Sequence, residues 1–191
     1  RGGFAVHGQV DPGIEWYKVL EDESNLWPGA MPLTEKPTAA FINRISKEWK
    51  ISDKIIVNSS YSKESLVTHG VSQDKIQIIP LSFNGLIRPR ENIKTSIKKK
   101  LNILFVGNLS LAKGIQYYGH VAKLLSGLGF DFFAAGNLAL DKKFYNSMNW
   151  PIELLGHLSP DEMSEQYKRT DILIFPTNKI FNFFFIDVFI F

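Results

Sequence analysis

Residues 101–123 leave this chain few folds to choose from. They read Leu-Asn-Ile-Leu-Phe-Val, then Gly107-Asn108-Leu109-Ser110-Leu111-Ala112-Lys113-Gly114, then a segment with Ile115, Tyr118, Ala122 and Leu125 at i, i+3, i+7 and i+10. The first run is apolar with almost no polar alternation, the pattern of a strand buried on both faces in a parallel sheet. The last segment carries its apolar residues on one helical face. Between them a glycine turn delivers a lysine to the mouth of the helix. Helix N-terminal N–H groups and the dipole favour an anion at such a place, and a lysine adds a full charge. A lysine there is unfavourable to the helix by itself, so an anion partner and simple exposure stand as equal readings of Lys113.

The same rhythm recurs on both sides of this unit. Residues 4–10 read as a strand that ends at the Asp11-Pro12-Gly13 turn, and a helix starts over 14–20. Glu21, Asp22 and Glu23 read as its solvated face, and 27–37 as irregular. Phe41, Ile42, Ile45 and Trp49 give helical spacing over 38–50, with Thr38 or Thr34 as cap. A buried strand over 54–58, a helix from the Ser59–Ser62 region to Gly70, and a strand over 75–81 follow. Beyond the central unit, strands are expected at 130–135 and 152–155, closed by Gly136 and Gly156. Ser159-Pro160-Asp161-Glu162 is a capping box that opens a helix through Met163, Gln166 and Tyr167, and 171–176 is a last strand. Strands alternating with helices at this spacing predict α/β architecture, with parallel sheets covered on both faces and ligands at the carboxyl ends of the strands.

Residues 84–100 break the rhythm. Gly85, Pro89 and six basic residues (Arg88, Arg90, Lys94, Lys98, Lys99 and Lys100) against Glu91 mark a solvated connector. With a net charge of only +3 over 191 residues, nucleic acid is not implied as a partner. There is no cysteine, which excludes disulfides and thiolate metal sites. His7, His69, His120 and His157 are scattered without ligand spacing, so no metal is expected. The chain opens on Arg1 with no charged-then-apolar leader, which reads as the cut edge of a longer, cytoplasmic protein. A bilayer span needs ~20 residues. The apolar run at 180–191 is shorter than that and is interrupted by Asn182 and Asp187.

Known phosphate loops do not fit the central turn. A Walker A loop requires a Ser or Thr directly after its lysine, and Gly114 follows Lys113 instead. No Gly-x-Gly-x-x-Gly follows a strand, which disfavours a Rossmann oxidoreductase. His157 sits at a strand's carboxyl end, where ligand contact and a backbone hydrogen bond are equal readings. His7 reads as a half-buried strand residue, and His69 and His120 as structural. No carboxylate pair stands out as acid and base.

Two long segments resemble GT-B glycosyltransferases, specifically the large retaining group called family 4 or group 1. Residues 51–59, 67–71 and 75–81 resemble the end of the acceptor-side domain. Leu104-Phe105-Val106-Gly107-x-Leu109-x-x-x-Lys113-Gly114 is similar to the opening of the donor-binding domain. Leu155-Gly156-His157 through Tyr167, and Asp171-Ile172-Leu173-Ile174-Phe175-Pro176, are similar to its later part. The matches run in the family's order over 51–176, and the Gly8–Gly13 and Trp27-Pro28 region is also similar to a subgroup of these enzymes.

The resemblance implies a GT-B type α/β fold of two Rossmann-like parallel-sheet domains, both incomplete here. Residues 1–83 would be the C-terminal part of the acceptor-side domain, 84–100 the basic linker, 101–176 the first half of the donor domain and 177–191 an aberrant Phe/Ile-rich tail. It further implies a UDP- or GDP-sugar donor, an unidentified acceptor hydroxyl, retention of configuration, no metal and no cofactor, with membrane contact only through the acceptor. Gly107, Asn108 and Lys113 would hold the donor diphosphate, and Gly156, His157 and Leu158 would lie against the nucleotide base. Two departures stand out. Asn108 occupies the family's arginine position, and no glutamate follows Pro176 where the family has a pair. The tail is therefore expected to be a truncation or frameshift product and the chain to be inactive and poorly soluble. A non-catalytic nucleotide- or anion-binding α/β module is the alternative, separable by reading the gene past Pro176 in the other frames.

Overall fold

The computed structural model describes residues 2–10, 13–31, 38–82 and 100–176, and the backbone of 187–190. They form two compact units, Arg1–Lys18 with Lys36–Thr95 and Val19–Glu35 with Ser96–Phe191. The connector expected at 84–100 lies outside the described residues except for Lys100, which pairs with Asp131 at 3.1 Å.

The first unit holds a parallel three-stranded sheet of β1 (Val6–Gln9), β2 (Lys54–Val57) and β3 (Ile76–Ile78), in that order. Ile55 and Val57 on β2 are buried against Ile45, Trp49, Leu66, Val71 and Ile76. Ile45 and Trp49 are four apart on α2 (Ala39–Ile51), so one helical stripe reaches the sheet. Thr38 is the cap of this helix, its hydroxyl accepting the Phe41 N–H. Ser59 caps α3 (Ser60–Thr68) in the same way through Ser62. The strand expected at 75–81 is only three residues long. A 3-10 turn, Gln73–Lys75, precedes it, and the Lys75 ammonium donates to the carbonyls of Lys50 and Ser52, which holds that residue out of the ladder.

The second unit holds five strands in the order β6-β5-β4-β7-β8. These are β4 (Leu101–Val106), β5 (Phe130–Ala135), β6 (Ile152–Gly156), β7 (Ile172–Phe175) and β8 (Asp187–Ile190). The first four neighbours run parallel, and β8 is antiparallel to β7. β4 is covered on both faces, as its apolar run requires. Ile103 and Phe105 face one cluster with Ile115, Tyr118 and Ala122 of α4 (Ile115–Leu124), and Leu104 faces another with Ala135 and Leu173.

Further features depart from the sequence reading. The wholly parallel sheet is corrected to a mixed one, because four residues of the tail expected to be aberrant, 187–190, form β8; residues 177–186 and 191 lie outside the described residues. A helix α5 (Lys142–Met148) was not anticipated. It is short, buries no residue, and rests on Asp141, whose carboxylate accepts the N–H groups of Lys143 and Phe144. Residues 19–35, read as part of the first unit, cluster with the second. The helix α1 runs Ile14–Leu26, longer than expected, and its Glu23 is buried rather than solvated. Trp27 packs on Tyr117, His120 and Phe144, and the Ala30 carbonyl accepts the Asp141 N–H at 2.9 Å.

The capping box at the start of α6 (Pro160–Arg169) is present as read. The Glu162 carboxylate accepts the Ser159 N–H and hydroxyl, both at 2.8 Å. These bonds hold the Glu162 carboxyl below its ordinary value of 4.5. The helix therefore gains this support above that value and loses it as pH falls through the lowered one. A carbon-detected titration of Ser159→Ala should show Glu162 moving back up; an unmoved Glu162 would mean the cap does not hold in solution.

Candidate functional site

Strand order reverses at β4: β5 and β6 lie on one side and β7 on the other. In open α/β sheets a crevice forms at the carboxyl ends beside such a reversal. Here the loops leaving four parallel strands lock together along that edge. The Gly107 N–H donates to Ala135 O at 2.9 Å, the Leu109 N–H to Asn137 O at 2.9 Å, and the Ala139 N–H to Leu109 O at 3.1 Å. The Gly136 N–H donates to Gly156 O at 2.7 Å. Gly136 has φ +139°, and a Cβ there would lie 2.0 Å from the Gly107 carbonyl oxygen. Gly114 has φ +75°, and its Cβ would lie 1.6 Å from the Pro176 carbonyl oxygen. Glycine at these two positions is what allows the β4 loop to nest against those of β5 and β7.

Within the β4 loop, Leu111 and Ala112 are buried and anchor a 3-10 turn, Leu111–Lys113, while Lys113 is exposed. Its N–H donates to Ser110 O at 3.1 Å, and the Gly114 N–H to Leu111 O at 3.1 Å. Gly114 then caps α4 in a left-handed conformation, with no side-chain cap bond. Lys113 thus ends a separate turn just before the helix. Gly107 is half-buried and Asn108 is exposed, on the same loop. Gly156 and His157 are exposed on the β6 loop, and Leu158 packs toward Leu104, Ala135 and Leu173. The structure thus places all six expected residues on one sheet edge. The β5 loop, Gly136 to Leu138, separates the Gly107–Lys113 group from the Gly156–Leu158 group.

Beneath the turn lies a polar cluster that the sequence reading missed. Gln116, 0% exposed, donates through its side-chain amide to Glu23 Oε2 at 3.0 Å and to Leu111 O at 3.1 Å. The Tyr117 hydroxyl bonds Glu23 Oε1 at 2.9 Å. Partial burial, then the hydrogen bond and charge of Glu23, push the Tyr117 phenol up to about 12, opposed by a hydrogen bond from Trp27. Nothing in Glu21-Asp22-Glu23 as a string separates Glu23 from its neighbours; only the contact across 93 residues does.

In the first unit His7 lies 3.2 Å from Gln9 Oε1, which also accepts the Trp49 indole N–H at 3.0 Å. His69 bonds the Ser65 carbonyl through Nδ1 at 2.8 Å, closing α3. His120 sits against Trp27 and Trp150, with ring centroids 5.1 and 6.5 Å away. Among the described residues no group of three or more His, Asp or Glu can hold a metal ion, and no helix is long and apolar enough to cross a membrane.

No protein-family model matches the chain. It is 28% identical over 149 residues to an uncharacterized 41.2 kDa protein encoded in the cps region of Klebsiella pneumoniae, covering 75% of this chain and 41% of that protein. Among solved structures it is similar to Anabaena HepE, determined with UDP and glucose, at a TM-score of 0.58 and 11% identity over 90% of this chain and 46% of that one. It is also similar to TarM from S. aureus, determined with UDP among its ligands, at a TM-score of 0.51 and 12% identity over 78% of this chain and 30% of that one. The chain thus spans less than half the length of each. These likenesses establish the fold as α/β of the GT-B glycosyltransferase type.

Proposed function

We propose that this chain carries half of the donor site of a retaining glycosyltransferase of family 4 or group 1. The observation that carries the reading is the turn that presents Lys113 at the mouth of α4, on the sheet edge beside the strand-order reversal. Lys113 and the loop atoms of Gly107 and Asn108 would receive the diphosphate of a UDP- or GDP-sugar, and Gly156 and His157 would flank the base, with Leu158 supporting their loop from the core. HepE, similar in fold, was determined with UDP and glucose, which supports a UDP-sugar. In this reading 1–83 comes from the acceptor side, 84–100 links, and 101–176 opens the donor domain, with the reversal that residues 19–35 pack on the donor unit. The parent enzyme would act in the cytoplasm on an acceptor hydroxyl, without a metal.

Two substitutions test the site by calorimetric titration of the chain with UDP. A lysine ammonium bonded to a phosphate contributes ~1.5–3 kcal/mol, so Lys113→Ala should weaken binding about 10- to 100-fold. Asn108→Arg restores the family's second cation on an exposed loop position and should tighten binding by about 10-fold. Unchanged affinity in Lys113→Ala would remove the diphosphate from this loop. Because no glutamate pair follows Pro176, the chain by itself should bind without turnover, and sugar transfer by the purified chain would refute that.

A further inference from the structure

We infer that Glu23 is a positioning residue for the Lys113 turn: it orients the Gln116 amide, and that amide clamps the Leu111 carbonyl on which the turn closes. The diphosphate role of the turn rests on the reading above; the clamp does not. Gln116 has two amide protons, and both are committed to acceptors, one to Glu23 Oε2 and one to Leu111 O. Turning the amide over would set its oxygen against a carboxylate and a carbonyl, which repel it. The orientation held leaves Gln116 Oε1 buried without a hydrogen-bond partner among the described residues. A buried acceptor left unpaired is unfavourable, so the two donor contacts determine the orientation.

Leu111 O is the key acceptor. It takes the Gly114 N–H at 3.1 Å, which closes the 3-10 turn, and the Gln116 amide, also at 3.1 Å. Glu23 is held in its turn by the Tyr117 hydroxyl, 2.9 and 3.1 Å from its two oxygens. With Glu23 gone, Gln116 loses the acceptor that sets its amide, and the carbonyl behind Lys113 loses a fixed donor. A carboxylate near an anion site also repels the anion. The two effects have opposite signs: an electrostatic role predicts tighter anion binding once the charge is removed, and a positioning role predicts weaker binding unless the acceptor is kept.

The test compares Glu23→Ala, Glu23→Gln and the wild-type chain. Amide hydrogen exchange over 108–117 should accelerate about 10-fold in Glu23→Ala while β4 and β5 stay protected, and trypsin should cut faster after Lys113. Glu23→Gln keeps a carbonyl acceptor and should restore both readouts. If Glu23→Ala does not fold, Gln116→Met removes the amide from an apolar-tolerant site and should loosen the same turn. Exchange unchanged in the turn, or accelerated equally across the whole second unit, overturns the clamp. In UDP titration, Glu23→Ala should bind about 10-fold more weakly and Glu23→Gln within about 2-fold of wild type or tighter. Wild-type affinity in Glu23→Ala also overturns it. A wild-type chain that binds no UDP removes the diphosphate assignment alone, and the exchange measurement still decides the clamp.

Discussion

Gly114→Ala should destabilise the second unit by about 3–5 kcal/mol, from a strained left-handed backbone and an overpacked contact acting together. The residue has φ +75°, and the added methyl would stand 1.6 Å from the Pro176 carbonyl oxygen and 2.6 Å from its carbon. Those are backbone atoms at the end of β7, so relief requires the β4 and β7 loops to separate. Gly114→Asn discriminates between the two causes. Asparagine tolerates a left-handed φ but brings the same Cβ, so it should be nearly as damaging. Gly127, φ +79° with nothing within 4 Å of its missing Cβ, is the control, and alanine there should cost only about 1 kcal/mol. Urea denaturation followed by tryptophan fluorescence measures all three. Equal midpoints for Gly114→Ala and Gly127→Ala would mean that the loops do not meet as described.

Tyr118→Ala should cost about 3–5 kcal/mol, the range for emptying a large aromatic from a packed core. The ring is 1% exposed, with centroids 5.5 Å from those of Phe105 and Phe132. Its hydroxyl lies 2.9 Å from both Ile103 O on β4 and Phe133 O on β5, and its single proton serves one of them at a time. Tyr118→Phe keeps the ring and should cost only about 1–2 kcal/mol. Burial raises the Tyr118 phenol far above its ordinary 10.0. A folded value above the unfolded one gives stability that is complete below about pH 10 and lost as pH rises beyond it. The wild type should therefore lose stability between pH 10 and 12, with Tyr117 contributing over the same window, and Tyr118→Phe should flatten that decline. Parallel alkaline slopes for the two proteins would contradict the buried phenol.

Much of the fold was legible because it is locally encoded. The continuous apolar run of β4 announced a strand covered on both faces, and its observed bounds, 101–106, are those read from the pattern. Phe130–Ala135 matched in the same way. The caps at Thr38, Ser59 and Ser159 were visible as hydroxyls three residues before the N–H they accept, a relation that needs no tertiary partner. Helix α5 escaped notice because it is short: its apolar residues Phe144, Tyr145 and Met148, half-buried against the core, span little more than one turn and show no period.

The candidate site was legible only as a list. Gly107, Asn108, Lys113, Gly156, His157 and Leu158 were named from a motif, but nothing in the string says that the β5 loop stands between the two groups. Glu23 was misplaced on a solvated face, because a helical acid run looks the same whether or not a distant amide comes to meet one member. By itself, then, the sequence determined most of the strands and helices, the caps that open three of the helices, and that a lysine stands at a helix mouth. Only the tertiary structure decided that residues 19–35 join the second unit, that 187–190 pair antiparallel to β7, and that a buried carboxylate braces the turn behind Lys113. The physical reason is range: caps and periodicities act over three or four residues, whereas strand pairing and buried polar contacts take their energy from partners that chain folding alone brings within reach.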